Sequence, residues 1–129
     1  MSATEEQVIR LRRMVAESTA TTYTDADLSE YIERYPVVDG LGNDPWQEAE
    51  TDPVTLEENE DWTATYDLNA AAADVWNEKA AALAGNYDFA TQGQSFQRSQ
   101  AYAQYMRQAA YYRARRAMGS VRLQMTPKP

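Results

Sequence analysis

The carboxylates between Pro36 and Asp67 are the residues of this chain whose type and number could serve catalysis. This stretch holds ten acidic residues and no basic one. General acid–base catalysis needs two carboxylates at a fixed distance, with the pKa of one shifted by burial. A loop of solvated, mutually repelling carboxylates supplies neither condition. We therefore interpret the stretch as a solvated acidic face and not as a catalytic centre.

Two stretches have the spacing of ligand-binding loops but lack the required residues. Asp39 and Glu50 are spaced like the first and twelfth positions of a calcium-binding EF-hand loop. The third position is Leu41, however, and the position that needs glycine is Asp44. The stretch TQGQS at 91–95 is not followed by the Lys-Ser/Thr pair of a phosphate-binding loop. The sequence thus predicts no metal site and no cofactor.

Cysteine and histidine are both absent from the 129 residues. Their absence excludes a zinc site of the usual Cys/His type, a thiol nucleophile, a Ser-His-Asp triad and any disulfide bond. The first fifteen residues mix apolar side chains with arginines, unlike the continuous apolar run of a signal peptide. No stretch reaches the roughly 20 apolar residues of a membrane span. We expect a soluble protein that is made in a cytoplasm.

Charge is distributed unevenly along the chain. Residues 1–67 hold seventeen acidic residues against four arginines, a net of −13, and residues 68–129 hold three acidic against eight basic residues, a net of +5. The basic part could bind nucleic-acid phosphates, but the whole chain has a pI near 4.5, whereas nucleic-acid-binding domains are usually basic. Two other interpretations exist. The cations could complement a helix dipole, but a contact between the basic end of one subunit and the acidic segment of another fits the charge distribution better.

Two helices are expected in the N-terminal part of the chain. The first covers about residues 5–17, where apolar residues recur at helical spacing. The second covers residues 25–35, with Thr24 as N-cap and Asp27 three residues later, an arrangement close to a capping box. Pro36 ends it, because the residue before a proline is disfavoured in the α conformation.

Residues 36–66 contain three prolines and two glycines and show no sustained period. A structureless loop of this length is uncommon in a compact domain, and Trp46 and Trp62 indicate that the segment packs against other residues. We interpret it as a long, ordered, acidic insertion. Short extended pieces fit the sequence at 36–39 and 62–66.

Two further helices are expected after the insertion. The third runs over about 68–83, with Asp67 as N-cap and Gly85 as C-cap. The fourth follows a turn at 91–94, with Ser95 as its cap, and ends near Met118, before Gly119. Its predicted apolar stripe consists of Phe96, Ser99, Tyr102, Met106, Ala109 and Arg113.

The sequence therefore predicts an all-α fold, a small bundle of about four helices with the acidic insertion between helices 2 and 3. Residues 1–118 form the single domain, and residues 119–129 form an extended C-terminal tail. Four tyrosines of helix 4 point in more than one direction, and a small bundle buries only one stripe of a helix. They are Tyr102, Tyr105, Tyr111 and Tyr112. Half of them are equally well explained as core residues, and the remainder suit a protein interface.

Between Leu68 and Arg113, an alanine-rich helix with an embedded tryptophan and lysine precedes the motif DFATQGQSFQRSQ and a long second helix. This order of motifs resembles the head–tail connector (adaptor) proteins of tailed bacteriophages. The stretch from Ile9 to Glu33 is similar to the two opening helices of that family. The matching motif residues are Trp76, Lys79, Asp88, Phe89, Gly93, Gln94, Ser95, Phe96, Arg98, Ser99 and Gln100. Residues 36–66 and the tail after Arg116 do not map onto the family pattern.

The resemblance implies a non-enzymatic virion subunit at the head–tail junction, assembled in the cytoplasm of a bacterial host. Such subunits form a ring, usually a dodecamer, beneath the portal protein, and a subunit can stay monomeric until a portal is present. The ring extends the DNA channel, passes DNA without specific binding and receives a tail-side stopper or tail-completion protein. No membrane is involved. A DNA-binding regulator that uses the basic helix is the alternative, and a scaffold of another phage structure is a third interpretation.

Two sets of residues are expected to carry this function. The predicted subunit or portal interface consists of Arg98, Gln100, Tyr102, Tyr105, Tyr111, Tyr112, Arg113, Arg115, Arg116 and Arg122. The predicted acidic segment, facing the channel or the tail side, consists of Asp39, Asp44, Glu48, Glu50, Asp52, Glu57, Glu58, Glu60 and Asp61. For Arg98, a bond to a neighbouring subunit and a local bond to Asp88 are both open.

Overall fold

The structure, a computed structural model, describes residues 2–50, 53–84 and 92–117, with the side chains of the last range described from position 99. These residues form four helices and two short strands. In chain order they are α1 (Glu5–Met14), α2 (Asp25–Glu33), β1 (Trp46–Glu48), β2 (Leu56–Glu58), α3 (Leu68–Ala84) and α4 (Gln92–Arg113). The described chain is mostly helical, as the sequence predicts.

The first two helices both begin with a capping box. At α1, the Thr4 side chain accepts a hydrogen bond from the Gln7 amide at 3.2 Å, and the Gln7 side chain accepts one from the Thr4 amide at 2.8 Å. At α2, Thr24 and Asp27 make the same reciprocal pair at 3.1 and 3.0 Å. The cap predicted for the second helix is confirmed. Each box satisfies amide donors that have no intrahelical partner.

The end of α1 lies three residues before the predicted position. Ala16 adopts a φ of +58°, in the left-handed region. The Glu17 amide then donates to the Arg12 carbonyl at 3.0 Å, which is the long bond of a Schellman motif. The apolar spacing continues through Val15, so periodicity alone could not show where the helix ends.

Replacing Ala16 with glycine is expected to raise the free energy of unfolding by about 0.5–1 kcal/mol. A left-handed conformation costs a residue with a Cβ about 1–2 kcal/mol, and the greater freedom of glycine in the unfolded chain offsets part of the gain. Urea denaturation of the variant measures the change. Ala20→Gly, at an exposed turn position without a positive φ, is the control and should not stabilise. An Ala16→Gly variant that is no more stable than the wild type would contradict the assignment.

The core lies between α1, α2 and α3 and is closed by α4. Its largest fully buried side chains are Leu11, Val15, Leu28, Ile32 and Val75. Helix α3 contributes mainly alanines, and Ala109 of α4 is also fully buried. The buried alanines of α3 are Ala70, Ala71, Ala72, Ala73 and Ala80. Such small side chains allow two helices to approach closely, and α3 and α4 share the most extensive helix contact in the described structure.

The predicted start of the fourth helix is wrong. Helix α4 begins at Gln92, so Gly93, Gln94 and Ser95 lie inside it, and Ser95 is not its N-cap. Glycine and serine are tolerated in a first turn, because amides there have no intrahelical carbonyl to bond. The helix also ends at Arg113 instead of near Met118. The predicted stops at Gly85 and Gly119 and the tail at 119–129 lie outside the described residues.

The predicted buried stripe of α4 is also displaced. Tyr102 and Met106 are each 37% exposed, and Arg113 is exposed as well. The side chains that pack against the core around Ala109 are Tyr105 and Tyr112. Ala109 is fully buried in the core, and these two tyrosines are half-buried beside it. Of the predicted stripe, Ala109 is buried as expected, whereas Tyr102, Met106 and Arg113 are not.

The segment between α2 and α3 is held by two antiparallel pairings. Strands β1 and β2 form a hairpin in which Trp46 lies opposite Glu58. Pro36 and Tyr66 form an isolated antiparallel bridge, and the Asp67 amide donates to the Tyr35 carbonyl at 2.9 Å. The extended pieces expected at 36–39 and 62–66 lie on the two sides of this bridge. The hairpin was not predicted.

Candidate assembly surfaces

The four tyrosines of α4 divide into two pairs. Tyr105 and Tyr112 are half-buried against the core, and the Tyr105 ring lies 5.3 Å from the Trp76 ring. Burial raises the pKa of Tyr112. Tyr102 and Tyr111 are 37% and 48% exposed. Of the four, this second pair is the more accessible to another molecule.

The C-terminal end of α4 presents arginine beside tyrosine. The Arg115 guanidinium stacks 3.5 Å from the centroid of the Tyr111 ring and donates to the Tyr111 carbonyl at 3.1 Å. Tyr111 in turn makes an edge contact with Tyr112, at 5.0 Å between centroids. Arg113 is exposed, whereas Arg116 is half-buried and lies 5.3 Å from the Tyr35 ring. The stacking limits the motion of Arg115 and Tyr111, which lowers the entropy cost of binding a partner.

Asp67 fixes where this basic end lies. One carboxylate oxygen accepts from the Asn69 and Ala70 amides at 3.1 and 3.2 Å, which confirms the predicted N-cap of α3. The other oxygen accepts from the Ala117 amide at 2.8 Å. Asp67 is 5% exposed. This single buried side chain therefore joins the start of α3 to the residues that follow α4, a link that nothing in the local sequence indicates.

The acidic segment exposes most of its predicted carboxylates. Strand residue Glu57 accepts from the Gln47 side chain at 3.0 Å across the hairpin. The exposed members of the predicted set are Asp44, Glu48, Glu50, Glu57, Glu58, Glu60 and Asp61. Asp52 lies outside the described residues. The hairpin and its flanks thus form an acidic surface, in contrast to the basic end of α4.

Asp39 is an exception, and its interpretation as a solvated acid is wrong. It is 6% exposed, and its carboxylate accepts from the amides of Thr63 at 2.8 Å and of Leu41 and Asn43 at 2.9 Å. These amides, with Thr63 foremost, lower the pKa of Asp39. Asp39 therefore shapes the loop 39–43 and ties it to the chain after β2. An aspartate followed by glycines is typical of a turn in which the side chain binds the backbone, and that signal could have identified its role.

Asp39→Asn is expected to lower the melting temperature by several degrees at neutral pH, because an amide accepts these bonds less well than a carboxylate. The pKa of Asp39 is lower in the folded chain than in the unfolded chain. Its contribution to stability is therefore full above pH of about 4 and disappears as the pH falls through the folded pKa. Thermal unfolding followed by circular dichroism should show the difference from wild type shrink in acid. Asp44→Asn, at an exposed carboxylate, is the control, and a difference that persists unchanged in acid would contradict the role of the charge.

Trp76 and Lys79, two residues of the connector-like motif, close the end of α1. The Trp76 indole donates to the Met14 carbonyl at 3.1 Å, and the Lys79 ammonium donates to the Val15 carbonyl at 2.9 Å. Lys79 also pairs with Glu17 at 3.0 Å and lies 4.2 Å from the Trp76 ring. These contacts satisfy carbonyls that a helix end leaves without partners. The structure thus gives this part of the motif a role within one subunit.

The remaining predictions concern Gln100, Arg98 and Arg122, a metal site and a membrane span. Gln100 is exposed, whereas the Arg98 side chain and Arg122 lie outside the described residues, as do Asp88 and its expected bond to Arg98. The described part of the chain contains no group of three or more side chains placed to bind a metal ion. Among the described helices, none is long and apolar enough to cross a lipid bilayer.

Comparison with known proteins identifies no relative. No family model, no curated protein and no solved structure matches this chain. Three features of the chain bear on its function. They are the basic, tyrosine-bearing end of α4, the acidic surface at the hairpin, and the connector-like motif residues in the sequence.

Proposed function

We propose that this chain is a structural subunit of a tailed-bacteriophage head–tail junction, a connector that forms a ring between portal and tail and extends the DNA channel. The observation that carries the proposal is the presence of two exposed surfaces of opposite charge on one small subunit. Arg113 and Arg115 are exposed at the end of α4, and the acidic surface surrounds the hairpin. The order of the connector-like motifs supports the same assignment.

Opposite surfaces on one chain favour assembly by head-to-tail contacts. When one surface of a subunit binds a different surface of the next, the assembly closes into a ring if the rotation permits. Tyrosine and arginine are enriched among the residues that dominate binding energy at interfaces, and Tyr111 and Arg115 are stacked and accessible. In this proposal the four helices form the bundle of the connector fold, and residues 36–66 are the acidic insertion into it.

The acidic surface suits a channel that DNA must pass without adhering. Affinity for DNA depends on attraction between cationic side chains and phosphates, and carboxylates remove that attraction. We assign the hairpin side to the channel or the tail-side stopper and the end of α4 to the portal. The protein then acts in the virion, without catalysis or a cofactor.

The first experiment is mass photometry of the purified protein, alone and mixed with a candidate portal ring, at two salt concentrations. We expect a discrete ring, or a stoichiometric mass increment on the portal. Arg113→Glu combined with Arg115→Glu should abolish the increment, whereas Arg107→Glu, at an exposed position earlier in α4, should preserve it. A protein that forms no ring and adds no mass to portals would overturn the proposal.

A DNA-binding regulator is the alternative, and exposed arginines in the C-terminal half of α4 and just after it favour this role. Arg107, Arg113 and Arg115 are exposed, and Arg115 stacks on the ring of Tyr111, whose exposed part could stack on a base. The net charge of −8 opposes this role. Binding of a monomer or dimer to duplex DNA that weakens steeply with salt would favour the regulator. A connector should show little affinity for DNA at either salt concentration.

A further inference from the structure

A groove of about 450 Å³ lies between α1, the start of α3 and the residues that follow α4. Its apolar lining includes Met14, Val37 and Leu68, and the exposed residues Arg10 and Arg115 line it as well. The one carboxylate in the lining, that of Asp67, is buried and bound to three backbone amides. The groove therefore offers an apolar floor and two guanidinium groups.

The loop 39–43 presents a single apolar side chain to solvent. Leu41 is 85% exposed, the highest value among the described large hydrophobic side chains. It lies between Gly40 and Gly42, and Gly42 has a φ of +84° that favours glycine. We name residues 39–43 the Leu41 loop.

The Leu41 loop is held in one conformation although its tip is exposed. Two backbone hydrogen bonds close the loop. The Asp39 amide donates to the Asn43 carbonyl, and the Gly42 amide donates to the Asp39 carbonyl, both at 3.1 Å. The Asn43 side chain donates to the Asp61 carbonyl at 3.0 Å. A loop that is already ordered loses little entropy when it binds, so its contact area contributes more fully to affinity.

We propose that the Leu41 loop of one subunit docks into this groove of a second copy of the chain. The inference rests on the proposed assembly and names its subunit contact. Leu41 would bury its side chain against the apolar floor. Asp44 and Asp61 are both exposed beside the loop and would face the guanidinium groups of Arg10 and Arg115. The charges and the polarity of the two surfaces are complementary.

The Leu41 loop and the groove lie close together on each copy of the chain. Val37, in the groove, and Leu41 are four residues apart, so their backbones lie within about 14 Å. Two copies can exchange loops reciprocally and form a closed dimer, or each copy can bind a different neighbour and continue into a ring. The size of the linked product distinguishes the two cases.

Disulfide crosslinking tests the contact cleanly, because the natural chain has no cysteine. Leu41→Cys carrying a tag is mixed with untagged Ala117→Cys, at the groove, and the mixture is oxidised mildly at high concentration. We expect a mixed disulfide dimer on a non-reducing gel. The control replaces the first variant with tagged Ala26→Cys, at an exposed position of α2, and should give several-fold less product. Equal yields, or no mixed dimer from the first pair, would overturn the proposal.

Noncovalent association provides the second test. Leu41→Ala should weaken association about 10- to 100-fold, the loss expected for one buried leucine contact. Arg10→Glu, outside the surface assigned to the portal, should weaken association as well, and mixing that variant with the double variant Asp44→Arg with Asp61→Arg should restore binding. Groove variants that abolish assembly while Leu41→Ala leaves it intact would mean that another segment occupies the groove, which would overturn the inference.

The outcomes separate this contact from the proposed function. A ring or portal complex that forms without the Leu41 crosslink overturns the contact alone. A crosslinked dimer that closes reciprocally, forms no larger species and does not bind portals supports the contact and overturns the connector. A double variant, Leu41→Cys with Ala117→Cys, that gives a closed multi-subunit product supports both.

Discussion

Replacing Arg12 with alanine is expected to lower the free energy of unfolding by about 3 kcal/mol. The guanidinium organises the connection between α1 and α2. It donates to the carbonyls of Glu17 at 3.1 Å and Thr19 at 2.9 Å. It also donates to the carbonyl of Tyr23 at 3.0 Å and pairs with Asp25 at 2.7 Å.

Most of this loss comes from the carbonyls and little from the ion pair. The Arg12 side chain is 11% exposed, whereas that of Asp25 is 79% exposed, so water readily replaces arginine at Asp25. Hydrogen bonds from a charged donor contribute about 1.5–3 kcal/mol each and are not additive. The exposed pair contributes about 0–1 kcal/mol. Asp25→Ala should therefore be far milder than Arg12→Ala.

Chemical denaturation of three variants measures this effect. Arg13→Ala, at the next and exposed position, is the matched control and should change stability by less than about 0.5 kcal/mol. Arg12→Lys should recover less than half of the loss, because one ammonium cannot span several carbonyls as the planar guanidinium does. If Arg12→Ala were no worse than Arg13→Ala, the loop would not depend on these bonds.

Trp76→Ala is expected to cost about 4 kcal/mol and to leave little folded protein at elevated temperature. The indole is 7% exposed and packs between the end of α1 and the Tyr105 ring of α4. Its removal creates a cavity and leaves the Met14 carbonyl without its donor. It also removes the ring beside the Lys79 ammonium.

A second tryptophan variant separates packing from hydrogen bonding. Trp76→Phe keeps most of the ring volume but loses the indole donor, and it should cost about 1–2 kcal/mol. Urea denaturation followed by far-UV circular dichroism avoids dependence on the fluorescence of the replaced residue. Equal losses for the two variants would mean that volume contributes nothing, contrary to the buried position of the ring.

Features set by neighbouring residues could be predicted from the sequence. The capping box of Thr24 and the N-cap role of Asp67 each involve amides two or three residues away. The helical content and the exposure of most acidic residues follow in the same way from local preferences and charge. Helix α2 does end before Pro36, but at Glu33, two residues before the predicted end at Tyr35. That half of the α4 tyrosines belong to the core was one of two open interpretations, and sequence alone could not assign which ones.

Features set by distant residues could not be predicted. The Asp39 carboxylate binds the Thr63 amide, and Asp67 binds the Ala117 amide, 50 residues later. Arg12 likewise donates to carbonyls of the loop between α1 and α2, and these bonds help to determine the path of that loop. The face of α4 that is buried also depends on distant residues, because the core formed by the other helices determines which α4 side chains it covers. The groove and the Leu41 loop of the proposed contact depend on such distant bonds.

The buried alanines of α3 and α4 have a consequence for how the sequence of this protein can change in evolution. Ala109 and the buried alanines of α3 are almost fully enclosed, so a larger side chain at any of them would force its neighbours apart. Alanine is also among the commonest residues, so an unchanged alanine carries little information when two sequences are aligned. The positions that constrain this fold most strongly are therefore those that contribute least to detecting its relatives.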